Sequence, residues 1–199
     1  TMEEDQGDDA AIRRVLGGDK DAFRQLVLRY GPRMIAFCRS RLGSAGVRDA
    51  DEEAKDLAQE VFVRAYVSLA KFRLGESFAA WLFAIAANRV KSKFWIFQKQ
   101  RNLAESAARE AKAAREEDPA EESLLRLQGE SLVQALVLLP KDLRLPMELY
   151  YLAELSVAET ASILKLGEEA VKTRLFRGRK ALKELAESKK PSGVSRGIL

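Results

Sequence analysis

SVAETASILKLGEEAVKTRLFRGRKALKEL, residues 156–185, decides how the chain folds. It reads as two helices joined by a tight turn, the second of them basic on one side. Ser156 and Glu159 have the spacing of a capping box, in which each side chain answers a free backbone N–H at a helix start. Val157, Ala161 and Leu164 fall on one side of a short helix. Leu166 and Gly167 follow, and Gly167 is expected to adopt the left-handed conformation that ends it. Glu168 and Glu169 open the next helix at the positive end of its dipole. Val171, Leu175, Gly178, Leu182 and Leu185 then recur at spacings of three and four, the pattern of a buried stripe. Lys172, Thr173, Arg177 and Lys180 lie away from that stripe. The pattern is a helix-turn-helix with a cationic second helix, suited to laying side chains into a DNA major groove. A solvated charged face on an ordinary helical hairpin is the competing reading.

Working outward, the composition sets bounds. The 199 residues can form one or two compact domains. A hydrophobic fraction of 47% and a charged fraction of 32% describe a globular protein rather than a disordered one. Ala, Leu, Glu, Lys and Arg dominate and no stretch alternates with period two, so the expected fold class is all-α. The net charge of +4 argues little, but its distribution argues more. Residues 71–101 carry seven basic side chains against one acidic, and residues 165–183 seven against two. Residues 102–123, between them, carry seven acidic against three basic. Two cationic blocks flanking an acidic one fit two contact surfaces for a polyanion.

Cys38 is the single cysteine, which excludes an intramolecular disulfide and fits an intracellular setting. Among Ile35, Ala36 and Phe37 it reads as a small core residue. Histidine is absent, so His-based metal sites and triads are excluded, and no metal or cofactor is expected. The acidic start lacks a signal-peptide core, and the apolar run 78–87 is shorter than the roughly 20 residues a bilayer requires. Thr1 ahead of Met2 reads as foreign to the natural chain and is set aside.

Upstream of the helix-turn-helix, residues 1–18 read as an acidic, loosely ordered extension, with a helical turn or two over 11–16. Asp19 or Asp21 is expected to cap a helix running to about Leu42, with Phe23, Leu26, Val27, Tyr30, Met34, Phe37 and Cys38 on its inner face and a bend at Gly31-Pro32. A second helix spans about 49–72 with Leu57, Val61, Ala65 and Leu69 inward. Its other surface carries Asp56, Gln59, Glu60 and Val63, either a solvated face or a partner contact. A third helix, capped at Glu76 or Ser77, runs from Phe78 to about Gln100. Its first half is apolar and must be buried, Trp81 included. Its second half mixes Asn88, Arg89, Lys91, Lys93, Lys99 and Arg101 with Phe94, Trp95 and Phe97. That mixture suits stacked bases and tracked phosphates of a single strand, or an apolar seat for a partner protein. Residues 102–123 read as a polar linker interrupted by Asp118-Pro119. A stripe through Leu125, Leu132, Leu136 and Leu139 ends at Pro140. Another helix is expected over 145–155, opened by Pro146, and residues 189–199 form a tail. Two all-helical units joined by a tether result.

These segments in this order resemble the extracytoplasmic-function (group IV) sigma factors of the sigma-70 family. The matches are AFRQLVLRYGPRM (22–34), DLAQEVFVRAYVSLAKF (56–72), FAAWLFAIAANRVK (78–91) and LPKDLRLPMELYYLAELSVAETASILKLGEEAVKTRLFRGRKAL (139–182). The helix-turn-helix alone is shared with many transcription factors; its combination with DLxQEVFxRAY and the FxxWLFxIAxN run is far more specific. The resemblance implies sigma region 2 over 19–101, a linker over 102–123 and sigma region 4 over 124–188. It implies core RNA polymerase as partner, through the clamp helices of the largest subunit and the flap of the second-largest. Asp56, Gln59, Glu60 and Val63 match the core-binding positions. Phe72, Arg73, Ala87, Asn88, Lys91 and Lys93 match the part that recognises and melts the −10 element, where a flipped base sits in a pocket. Lys172, Thr173, Arg174, Phe176, Arg177, Arg179 and Lys180 match the −35 reader, with Arg177 toward a base edge and Arg179 toward phosphate. It further implies promoter DNA, duplex and single-stranded, as ligand, an anti-sigma factor as a further partner, and a cytoplasmic place, held near the membrane where that inhibitor is anchored.

The chain departs from the family at several points. The −10 loop reads FRLGESF where Gly more often follows Phe-Arg directly. Ala84 replaces a common basic residue, and KFWIFQKQ is more apolar than the usual continuation. Glu168, Glu169 and Ala170 replace a common Val-Gly-Thr, and Thr160 occupies a usually aliphatic position. The function these features imply is a dissociable initiation factor without a catalytic centre of its own. The alternatives are a helix-turn-helix regulator that does not engage polymerase, and an enzyme, for which the chain lacks His, a Cys pair, a phosphate loop and a tight carboxylate cluster.

Overall fold

The computed structural model describes residues 2–45, 47, 49–102 and 130–188. Among the described residues it is all-helical: α1 (Met2–Leu16), α2 (Ala22–Gly43), α3 (Ala50–Ser68), a 3₁₀ turn (Leu69–Lys71), α4 (Phe78–Asn102), α5 (Glu130–Val137), α6 (Lys141–Tyr151), α7 (Val157–Leu164) and α8 (Glu168–Ser188). α2 is the central element and packs against α1, α3, α4 and α5.

The acidic start is a correction to the sequence reading: it forms a 15-residue helix, α1. Its order comes from tertiary contacts. Ala11 and Ile12 are buried, and Asp8 is buried beneath α2, where Tyr30 and Arg29 donate to its two carboxylate oxygens. Burial, together with Asp8, pushes the Tyr30 phenol well above its usual range. Asp19, rather than Asp21, supplies the cap of α2, accepting the Ala22 amide at 3.2 Å. The expected stripes are realised: Leu26, Tyr30, Met34, Phe37 and Cys38 of α2 and Leu57, Val61, Ala65 and Leu69 beyond it are nearly inaccessible. Ser77 caps α4 through the Ala80 amide. Phe72, Phe78 and Trp81 meet edge to edge or tilted, with centroids 5.4–5.7 Å apart, so Trp81 flanks the core.

In the second half, α6 starts at Lys141, five residues before Pro146, which lies inside it. Pro140 nucleates the helix because its carbonyl accepts the amides of Leu143 and Arg144. Another expectation fails at the turn of the helix-turn-helix: Lys165, not Gly167, is left-handed, at φ 55°. The Leu166 amide returns to the Ala161 carbonyl in a Schellman closure, and the Gly167 carbonyl begins α8 by accepting the amides of Ala170 and Val171. α8 crosses α6 at Gly178, where an added Cβ would lie 2.6 Å from the Met147 sulfur.

The two halves share a seam. Leu149, Ala153 and Leu155 join the core of α1–α4, while Ala36 packs against the core of α5–α8. Ser40 donates to Glu148 at 2.6 Å, Arg41 donates to the same carboxylate at 3.2 Å, and Arg33 donates to the Ala153 carbonyl.

Candidate nucleic-acid and partner interfaces

The helix-turn-helix opens with the capping box that its sequence predicts. Ser156 accepts the Glu159 amide at 3.2 Å and donates its own amide to the Glu159 carboxylate at 2.7 Å, closing the capping box. Val171, Leu175 and Leu182 hold α8 against the core. Thr173, Arg177 and Lys180, spaced four and three apart, share one side of it. Lys172, Thr173 and Arg177 are exposed, whereas Arg174, Phe176, Arg179 and Lys180 are half-buried. Glu169 engages two of these residues: its carboxylate pairs with the Lys172 ammonium at 2.7 Å, and its carbonyl accepts the Thr173 hydroxyl at 2.9 Å. The hydrogen bond to Glu169 holds the Lys172 ammonium above its ordinary pKa. Arg177 is an exposed cation on the same side as Thr173, while the Lys172 ammonium, on another side of the helix, is paired with Glu169.

The second cationic surface begins at the turn 73–77. Phe72 is buried beneath it, so this ring supports the surface from below instead of presenting itself to a ligand. Arg73 projects with 85% of its side chain exposed. Asn88 and Lys91 are exposed at helical i, i+3 spacing on α4, with Ala87 half-buried beside them. Lys93 and the patch 94–97 lie outside the described side chains, and the linker 103–129 and tail 189–199 outside the described residues. Glu159 approaches this region: although burial raises its carboxyl pKa, hydrogen bonds from Ser77 and Ser156 outweigh it and leave the pKa lowered. The cap of the helix-turn-helix thus touches the start of α4.

A third surface lies between α2 and α3. Phe23, Val27, Ile35, Ala58, Phe62 and Tyr66 line an apolar groove of about 430 Å³. Gln59 and Val63, two predicted partner-contact residues, stand on its edge, and Asp56 is exposed on the same helix. Val63 and Val67 are 56% and 78% exposed. Glu60 differs from the other three, because its carboxylate receives the Arg89 guanidinium of α4 at 2.7 Å. Sequence reasoning missed that pair and the exposure of Tyr66 and Val67 beside Val63. The i, i+3 and i+4 spacing of these two from Val63, off the buried stripe, was the available signal. Among the described residues no group of His, Cys, Asp and Glu could hold a metal ion.

The family descriptions "Sigma-70 region 2" and "Sigma-70, region 4" match residues 26–101 and 129–182 respectively. The ECF RNA polymerase sigma factor SigW of Bacillus subtilis is 32% identical over 180 residues, covering 87% of this chain and 93% of that one. The RNA polymerase sigma-H factor of Pseudomonas aeruginosa is 33% identical, covering 92% and 93%. The ECF sigma-E factor of Escherichia coli K12 is 31% identical, covering 91% and 95%. Among solved structures, CnrH in complex with the cytosolic domain of CnrY superposes with a TM-score of 0.63 at 25% identity, covering 92% of this chain and 99% of that one. The sigma factor RpoE of Bartonella quintana, bound to the anti-sigma factor NepR, gives 0.63 at 24%, covering 84% and 98%.

Proposed function

The chain belongs to the extracytoplasmic-function sigma factors of the sigma-70 family, an RNA polymerase sigma factor acting in transcription initiation, and from that premise we propose how its surfaces divide the work. The unit 19–101 docks on core polymerase through Asp56, Gln59, Val63 and the apolar groove beside them. Its turn 73–77 with Asn88 and Lys91 engages and melts the −10 element, where contacts to bases and phosphates offset the few kcal/mol that unstacking costs. The unit 124–188 reads the −35 element through α8, with Arg177 as the base-reading side chain. The observation that carries this reading is the open groove between α2 and α3, whose exposed Val63, with Val67 also exposed one turn further along α3, suits a helical partner. The relatives are sigma factors, and the reading gives this chain no turnover of its own.

A cytoplasmic site of action follows from the role, and no helix among the described residues is long and apolar enough to cross a membrane. CnrH is seen with a cytosolic partner domain, which supports an inhibitory anti-sigma partner for this chain too. The test is transcription with purified core. Adding the protein should produce one defined start on a cognate promoter, and Asp56→Ala with Gln59→Ala should weaken competition for core while leaving DNA contacts intact. Undiminished competition by the double variant would reject the docking assignment.

A further inference from the structure

The turn 73–77 is held at both ends. Phe72 is locked among aromatic rings, and Ser77 caps α4. Between them Arg73, Leu74, Gly75 and Glu76 are exposed, and their mutual contacts, Glu76 amide to Arg73 carbonyl at 3.2 Å and Arg73 beside Glu76 at 3.9 Å, are internal to the turn. What ties the tip to the body is a hydrogen bond from the Gly75 amide to the Asp9 carboxylate at 3.0 Å. Gly75 sits at φ +89° with open space around its missing Cβ, so sterics alone do not hold the tip in place.

Asp9 can hold it because its own backbone is fixed. The preceding residue, Asp8, is buried and takes hydrogen bonds from Tyr30 and Arg29, and Ala11 and Ile12 two and three residues on are buried in the same core. α1 also packs against the 3₁₀ turn and α4, the two elements that flank the turn. The Asp9 carboxylate, carried on a fixed helix, accepts this exposed amide across the space between α1 and the turn and pins one point of the turn to the body. Leu74, which precedes Gly75, is 42% exposed at the tip of the turn.

We propose that Asp9 is a positioning residue for −10 recognition: by holding the Gly75 amide it sets the conformation in which the turn offers Arg73 and Leu74 to the unpaired strand. The proposal rests on the assignment of this turn to the −10 element. Asp9 does not touch DNA; it acts through the turn.

The experiment uses the full chain with core polymerase on promoters carrying every single-base change across the −10 element, comparing the parent with Asp9→Ala and Asp9→Asn. Core capture by competition and the melting temperature are followed in parallel. Asp9→Ala should leave core capture and melting close to the parent while the spread of initiation rates between best and worst base narrows by about threefold to tenfold, the scale of one such hydrogen bond. Asp9→Asn, whose amide oxygen still accepts the Gly75 N–H, should recover most of that spread. An unchanged spread in Asp9→Ala overturns the proposal, as does a narrowing that Asn fails to recover. A parent that discriminates no −10 base with core would instead overturn the assignment of the turn, and this proposal with it.

Discussion

Ser40 donates a 2.6 Å hydrogen bond to Glu148, and both side chains are buried at the seam between the two helical units. Burial pushes the Glu148 carboxyl above its ordinary value of 4.5, against the pull of Arg41, Ser40 and Arg144. A carboxyl raised in the packed state favours packing while it is protonated, so its contribution is complete below pH 4.5 and is lost as pH climbs through the raised value. Energy transfer between labels on the exposed Gln25 and Ser162 should therefore fall as pH rises from 4.5 toward neutrality. Glu148→Gln, which keeps an acceptor for Ser40 without the charge, should flatten that curve. Parallel curves for parent and variant would remove Glu148 as the cause.

Gly178→Ala should loosen the helix-turn-helix unit. The new methyl would press on Met147 at 2.6 Å from its sulfur and 2.7 Å from its Cγ, inside a core where Met147 is wholly buried. Overpacking typically costs about 1–3 kcal/mol, and the better helix propensity of Ala returns at most about 1. A net loss of roughly 1–2 kcal/mol should appear as a lower denaturation midpoint. Pairing the change with Met147→Ala should cost less than the sum of the two single changes.

Thr160→Val should stabilise the same unit. Thr160 is fully buried, and its hydroxyl finds no hydrogen-bond partner among the described residues. A near-isosteric methyl removes a polar group buried without compensation, worth about 1 kcal/mol. The melting transition should move upward, and an unchanged or lower one would mean that the hydroxyl is satisfied.

On α8, Arg177 and Lys172 should behave differently toward DNA. Arg177→Ala should cost about 1–3 kcal/mol on the −35 element and much less on random sequence, as loss of a base contact does. Lys172→Ala should cost less, because Glu169 already pairs with the ammonium at 2.7 Å. Glu169→Gln should release Lys172 and tighten binding on any sequence at low salt. Equal losses for Arg177→Ala on both DNAs would reassign it to phosphate.

What the sequence disclosed was local in origin. The capping box at Ser156 and Glu159 and the stripes on α2, α3 and α8 depend on residues three and four apart, and all are realised. What it hid depends on distant partners. α1 looked disordered because its order rests on Tyr30 and Arg29 reaching Asp8 from more than 20 residues away. Glu60 looked free because Arg89 belongs to another helix. Lys165 took the left-handed position expected of Gly167 because the Schellman closure from Leu166 to Ala161 ends the helix two residues earlier. Phe72 proved a buried support, since its rings of contact, Phe78 and Trp81, surround it from α4.

The seam also bears on affinity. Two promoter elements centred some 25 base pairs apart lie about 85 Å apart along the duplex at ~3.4 Å per pair. In the packed arrangement α7, the first helix of the helix-turn-helix, packs against α4, which follows the turn 73–77. On the proposed division of work a chain so folded would not reach both elements, and polymerase would capture a form in which the two units have parted. Its measured dissociation constant is then the intrinsic one divided by the parted fraction, so each tenfold bias toward packing weakens capture tenfold. On that reading, changes at the seam residues Glu148, Ser40 and Arg33 should alter how much free polymerase the protein needs before it acts.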